Sequence, residues 1–322
     1  MTPPPRPPLD PGVARAFGEL DDVIVSITTD DIPRLRRGAV AASALELTRH
    51  GAFVRSTRTI IADDLEVPVV IALPVDARRP VPVLLHLHGG GLVSGDADSE
   101  MPAVAALAER VGCAVVSVAY RLAPEHPYPA ALDDVVAALR WLGSADAPAE
   151  IDPARIVVTG ISAGAGLAAA LALYVRDHGG PRPAGLLLQA PMLDHRSTSH
   201  SAVQMAGHGS WDRAANEVAW AAYLGGGSGG PDDATVPVYA SAALADDLSG
   251  LPPTFIDVGS AETFRDECLA FADAIWRAGG DAELHVWPGG THAFDLMAPW
   301  LPLSRDAQHA RRAWLRRILR RA

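Results

Sequence analysis

Ile156-Val157-Val158-Thr159-Gly160-Ile161-Ser162-Ala163-Gly164 leads directly into an Ala/Leu-rich stretch that continues to Ala172. The apolar run predicts a buried strand and the alanines and leucines predict a helix, which leaves Ser162 on the turn between them. A serine hydroxyl is a weak nucleophile unless it is held exposed beside a base. A strained strand-to-helix turn holds it that way when small residues flank it. Gly160 and Gly164 are those residues. The helix N-terminus under the serine would also aim unpaired N–H groups and a partial positive charge at an anion formed there. Ser162 is the candidate nucleophile, although Gly-x-Ser-x-Gly is short enough to arise by accident in a chain with 29 glycines.

Outward from this stretch the chain keeps alternating. Val81 to Leu87 is an apolar run of the kind that is covered on both faces, and it ends at His88-Gly89-Gly90-Gly91. Before it, Val54 to Ile60 and Val67 to Leu73 predict an antiparallel hairpin turning at Asp63-Asp64. After it come a helix over Met101 to Val111, a strand over Ala114 to Tyr120 and a helix over Ala130 to Leu142. Beyond the serine, the pattern gives a helix over Leu167 to Arg176 and strands over Gly185 to Gln189, Thr254 to Val258 and Ala282 to Trp287. Asp266 to Ala278 predicts a helix between the last two strands, and helical patterns run on to the end. Strands alternating with helices predict an α/β fold, a parallel sheet covered by helices. Residues 196–230 interrupt the rhythm with helical stretches around Ala202 and from Ala214 to Leu224, then a glycine loop from Gly225 to Gly230. Val13 to Leu20 and Gly38 to Arg49 predict helices outside the sheet.

With 322 residues the chain can form one large α/β domain with an added subdomain. A formal net charge of −11 argues against a nucleic-acid partner. The basic cluster Arg311, Arg312, Arg316, Arg317, Arg320 and Arg321 suits the dipole of a final helix. No apolar run approaches the roughly 20 residues that cross a bilayer, so no stable membrane insertion is expected. The start, Met1 to Pro8, lacks the apolar core of a signal peptide and reads as a proline-stiffened tail, which makes a cytoplasmic protein the expectation. Cys113 and Cys268 have no metal-type spacing and read as buried free thiols.

A serine elbow needs a base and an orienting carboxylate further along the chain, in the order serine, acid, histidine. Glu262 follows the Thr254 to Val258 strand and His292 follows the next one, where open α/β sheets place their sites. The rival acid, Asp266, sits with Glu267 at a helix start that favours carboxylates on its own account. Asp257, inside a strand, reads as structural. Backbone N–H groups can approach an oxyanion closely where side chains are absent. Gly89, Gly90 and Gly91, with the N–H of Ala163, are therefore candidate oxyanion-hole donors. His88 is expected to brace that loop rather than exchange protons. His195, His200 and His208 fit no metal-ligand spacing, and neither metal nor cofactor is expected.

These motifs together resemble the hormone-sensitive lipase family of α/β-hydrolases, the bacterial family IV esterases. The resemblance rests on His88-Gly89-Gly90-Gly91, Gly160-Ile161-Ser162-Ala163-Gly164 and Tyr120-Arg121-Leu122-Ala123-Pro124-Glu125 followed by Pro129-Ala130-Ala131-Leu132-Asp133-Asp134. It implies an α/β-hydrolase fold with a mostly parallel eight-stranded sheet, helices on both faces and a helical cap. Residues 1–50 and 196–230 would form the cap, and residues 51–195 and 231–322 the two parts of the core. It implies hydrolysis of short- to medium-chain carboxylic esters, a small-molecule substrate, and a homodimer through the last strand and its neighbouring helix. Leu92, Val93, Met205 and Trp211 would then border the acyl or alcohol pocket, although the cap aromatics can equally form the cap's own apolar face. The chain departs from the family pattern at Ile161, where an acidic residue often stands, at Ala165, where glycine is common, and at Glu262 in place of aspartate. An amidase or acyltransferase with the same triad, or a non-catalytic small-molecule receptor on the same fold, are the alternatives; such receptors lack part of the triad, which is complete here.

Overall fold

The computed structural model describes residues 4–18, 27–37, 42–62, 64–226 and 235–321. Over these residues eight strands form one sheet in the order β1-β2-β4-β3-β5-β6-β7-β8. The opening hairpin pairs β1 (Phe53–Ala62) with β2 (Leu65–Pro74), and β2 lies antiparallel to β4 (Ala114–Val118). All the other pairings are parallel, through β3 (Val81–Leu87), β5 (Ile151–Ile161), β6 (Gly185–Gln189), β7 (Thr254–Gly259) and β8 (Ala282–Trp287). The sequence pattern therefore placed the strands well, except that β5 starts five residues earlier than its apolar run. Asp63 of the expected turn lies outside the described residues.

The period-2 alternation of strand side chains sorts the core into two layers. Val83, Leu85 and Leu87 of β3, Ile156 and Val158 of β5, and Leu186 and Leu188 of β6 pack with α5 (Ala130–Leu142), α6 (Ala163–His178) and α9 (Arg265–Arg277). Leu84, Val157, Leu187 and Phe255 point the other way, against α4 (Met101–Val111) and α11 (Pro302–Arg321). Both faces are thus covered, which is why the central strands are apolar throughout rather than alternating.

Outside these layers lie α1 (Pro11–Gly18), α2 (Ile32–Arg37) and α3 (Ala44–Leu47), then α7 (His200–Gln204), α8 (Arg213–Tyr223) and α10 (Phe294–Met297). The expected helix from Gly38 is shorter than its pattern. It starts only at Ala44, where Ser43 and Glu46 form a capping box, and residues 38–41 lie outside the described part. Leu20 and most of the Gly225 to Gly230 loop also fall outside it. Arg36 of α2 ties the N-terminal segment to the sheet's C-terminal edge. Its guanidinium donates to both oxygens of Glu125, at 2.8 and 2.7 Å, and to the carbonyls of Val93 and Ala123. That contact explains Glu125 of the Tyr120 to Glu125 motif, and the guanidinium holds its carboxyl down at about 2.

Candidate active site

Ser162 sits between β5 and α6 with φ 57° and ψ −122°, a conformation that costs a non-glycine residue about 1–3 kcal/mol. Its neighbours make the strain tolerable. A Cβ on Gly164 would overlap the carbonyl oxygens of Leu87 and His88 at the end of β3, and one on Gly160 would come within 2.7 Å of the Ala165 nitrogen. Only hydrogens fit at both sites, so the turn closes tightly against β3. The Ser162 N–H donates to Gln189 O at 2.8 Å, and its carbonyl accepts from Gly166 and Met192 at 3.0 Å each. The N–H of Ala163, the first residue of α6, has no acceptor among the described residues.

His292 follows β8 and Glu262 follows β7, so the neighbouring strands bring them together. His292 Nδ1 lies 3.1 Å from Glu262 Oε1, and the second carboxylate oxygen accepts the Gly259 N–H at 3.1 Å. Both side chains are buried, and Phe264 packs edge-on against the imidazole at 5.1 Å. Because a carboxylate faces Nδ1, that nitrogen carries the proton in the neutral imidazole and Nε2 is left as the acceptor. The two loops also touch each other. Ala261 N–H donates to Gly290 O at 3.0 Å, and a Cβ on Gly259 would overlap that same carbonyl. Ile161 beside the serine, Glu262, and Thr291 and Ala293 on either side of the histidine all line one small cavity. Asp266 is engaged elsewhere, accepting the Ser201 N–H at 2.7 Å and pairing with Arg265, so the histidine's carboxylate is Glu262.

The glycine loop after β3 corrects one expectation. Gly89 N–H donates to Glu100 Oε1 at 2.9 Å and is not available to a substrate oxygen. The N–H groups of Gly90 and Gly91 have no acceptor among the described residues, which shifts the candidate donors one position along the chain. Glu100 is itself held by His86, whose Nε2 lies 3.0 Å from Oε2 while Nδ1 contacts Ser117 Oγ at 2.9 Å. His88 is a brace as expected. Its ring stacks on Tyr120 at 4.1 Å, its Nδ1 contacts Gly89 O at 2.8 Å, and Tyr120 donates its hydroxyl to His88 O at 2.7 Å. Burial pushes the His88 imidazole down to about 4, so it is neutral at pH 7. Sequence reasoning missed Glu100; its signal was one acid among Asp96, Asp98 and Glu100 at the start of a predicted helix, a position that usually needs no other explanation.

Of the expected pocket residues only Trp211 is partly exposed, and its ring lies 2.6 Å from where a Gly91 Cβ would stand. Leu92, Val93 and Met205 are 4%, 0% and 3% exposed, and the first two belong to the main core. Ser210, beside Trp211, donates to His292 O at 2.7 Å, which brings the 196–226 segment onto the histidine loop. Among the described residues no three His, Cys, Asp or Glu side chains gather as metal ligands would.

Residues 84–296 match the family model described as alpha/beta hydrolase fold. A carboxylesterase, NlhH, of Mycobacterium tuberculosis is 37% identical over 263 residues, 81% of this chain and 82% of that protein. A solved esterase of the bacterial hormone-sensitive lipase family superposes with a TM-score of 0.79 at 31% identity, covering 96% of this chain and 99% of that one. The chain belongs to the hormone-sensitive lipase family. A bacterial heroin esterase is also similar, with a TM-score of 0.87, 34% identity and coverage of 97% and 98%. The protein is a carboxylic ester hydrolase. In this esterase the family's Tyr120 to Asp134 motif has a plain physical content. Tyr120 supports His88, and Asp134, buried, accepts the Arg121 N–H at 2.8 Å and its guanidinium at 2.8–3.0 Å.

Proposed function

We propose that the esterase hydrolyses short- to medium-chain carboxylic esters through Ser162, His292 and Glu262. Ser162 Oγ attacks the ester carbonyl as its proton passes to His292 Nε2, while Glu262 fixes the tautomer and stabilises the imidazolium. The N–H groups of Gly90, Gly91 and Ala163 take the charge on the tetrahedral oxygen. The alcohol leaves with the proton from His292, and a water activated by the same imidazole then releases the acid from Ser162. The observation that carries this reading is the strained, glycine-flanked Ser162 at the end of β5 with a buried imidazole–carboxylate pair on the loops that follow β7 and β8 of the same sheet. Residues 1–50 and 196–230 act as the cap; Trp211 over Gly91 sets the size of the group accepted on that side.

A fluorophosphonate should give a single adduct on Ser162, located by peptide mass spectrometry, and p-nitrophenyl butyrate should be turned over. Ser162→Ala should lower kcat by roughly 10⁴-fold or more without loss of folding. Full turnover by that variant would rule the mechanism out.

A further inference from the structure

Arg311 of α11 is only 6% exposed, and among the described residues its hydrogen bonds and ion pairs go to neither Ser162 nor His292 nor Glu262. It holds two buried aspartates at once. Its Nε and Nη2 lie 2.8 and 2.7 Å from Asp257 Oδ2, and its Nη1 pairs with Asp295 Oδ2. Trp287 Nε1 adds a bond to the same Asp257 oxygen at 3.0 Å. Asp257 is on β7, two residues before Gly259, whose N–H is held by Glu262. Asp295 is the second residue of α10, three residues after His292. One guanidinium therefore bridges the root of the acid loop to the end of the base loop.

Three charges removed from water are a poor device for stability, because desolvation offsets their attraction and an apolar trio of the same volume does as well. What the arrangement does supply is fixed geometry, since the planar guanidinium can bond one oxygen of each carboxylate only from set directions. We propose that Arg311, through Asp257 and Asp295, is a positioning residue that sets the register of the Glu262 loop against the His292 loop. This rests on the reading of those residues as acid and base. His292 and Glu262 meet through one hydrogen bond, so a slip of either loop breaks the pair even when the core is intact.

The test uses Arg311→Met, Arg311→Lys and Asp295→Asn, each with and without Glu262→Gln, on a p-nitrophenyl ester with melting curves in parallel. Arg311→Met should lower kcat about 10²-fold with KM within about twofold, the scale expected when a catalytic group is misplaced by about an ångström. Arg311→Lys, a point charge that cannot hold both carboxylates in the same way, should fall between it and the parent. In the Glu262→Gln background the same Arg311 change should lower kcat less than about threefold, because the contact it protects is already gone. An equal loss in both backgrounds, or a lowered melting temperature with kcat unchanged, would reduce Arg311 to a structural residue. If Arg311→Met does not fold, the charge-neutral combination with Asp257→Asn and Asp295→Asn is measured in its place. It should keep the kcat loss, and restored kcat would overturn the bridge. A Glu262→Gln protein with unchanged kcat would remove the triad reading, and the bridge with it; a Glu262→Gln loss with additive Arg311 effects would sink the bridge alone.

Discussion

On the proposed oxyanion side of the cleft the working groups are backbone N–H donors, whereas on the acid–base side they are two side chains on separate loops. The first is held by neutral stacking and by single hydrogen bonds to the main chain: Glu100 on Gly89, the Tyr120 hydroxyl on His88 O, and the Tyr120 ring against His88. The second is backed by a buried charge cluster, Arg311 with Asp257 and Asp295. The difference follows from what must be fixed. Aiming an N–H means fixing one peptide plane, which glycines and one acceptor can do; aligning an imidazole with a carboxylate means fixing two loops relative to each other.

The sharpest break of this comparison is on the acid–base side. Glu262→Gln leaves the packing volume but offers the wrong partner to His292 Nδ1, and kcat should drop by about 10³–10⁴-fold in steady-state ester assays. On the opposite side, Gly90→Ala must displace the loop, because Gly90 has φ +108° and a Cβ there would overlap Ser94 O. A loss of about 10²–10³-fold in kcat is expected, the scale of losing one oxyanion donor. Glu100→Gln keeps one acceptor for either Gly89 or His86 but not the same pair of bonds, and roughly tenfold in kcat should follow, with KM little changed. A loss from Glu100→Gln larger than that from Glu262→Gln would reverse the assignment of which side depends on charge.

The smallest effect is on stability. His88 titrates in the unfolded chain near 6.5 and in the folded one at about 4, so between these values the unfolded state binds the extra proton. Stability therefore rises with pH through that window. Acidification from pH 7 to 4 should remove up to about 3 kcal/mol through this group, seen in urea melts at a series of pH values. His88→Asn should flatten that part of the curve while leaving the acid–base side untouched.

The fold was legible because its signals are local: apolar runs of strand length, glycine turns at their ends and helical periods between them. The candidates Ser162, Glu262 and His292 were legible for a related reason, each following a strand end, and the topology brings Glu262 and His292 into contact. Glycine-loop donors were legible only to within one residue, since sequence marks where side chains are missing but not which N–H another group has already taken. Leu92, Val93 and Met205 are buried, and sequence does not separate an apolar residue beside a site from one in the core. The basic cluster near the C-terminus read as a suitable ending for a helix, and Arg316, Arg317, Arg320 and Arg321 are exposed there, with Arg316 and Arg317 bonded to Arg110 O and Glu283. Arg311 is different: its partners lie 54 and 16 residues away, and only the packing of α11 under β7 and α10 turns it inward. Sequence alone determined which chemistry this chain carries, because motifs fix residue types. Tertiary structure decided which groups are free to perform it and which hold them in place, because a hydrogen bond or an ion pair exists only once distant segments share the same space.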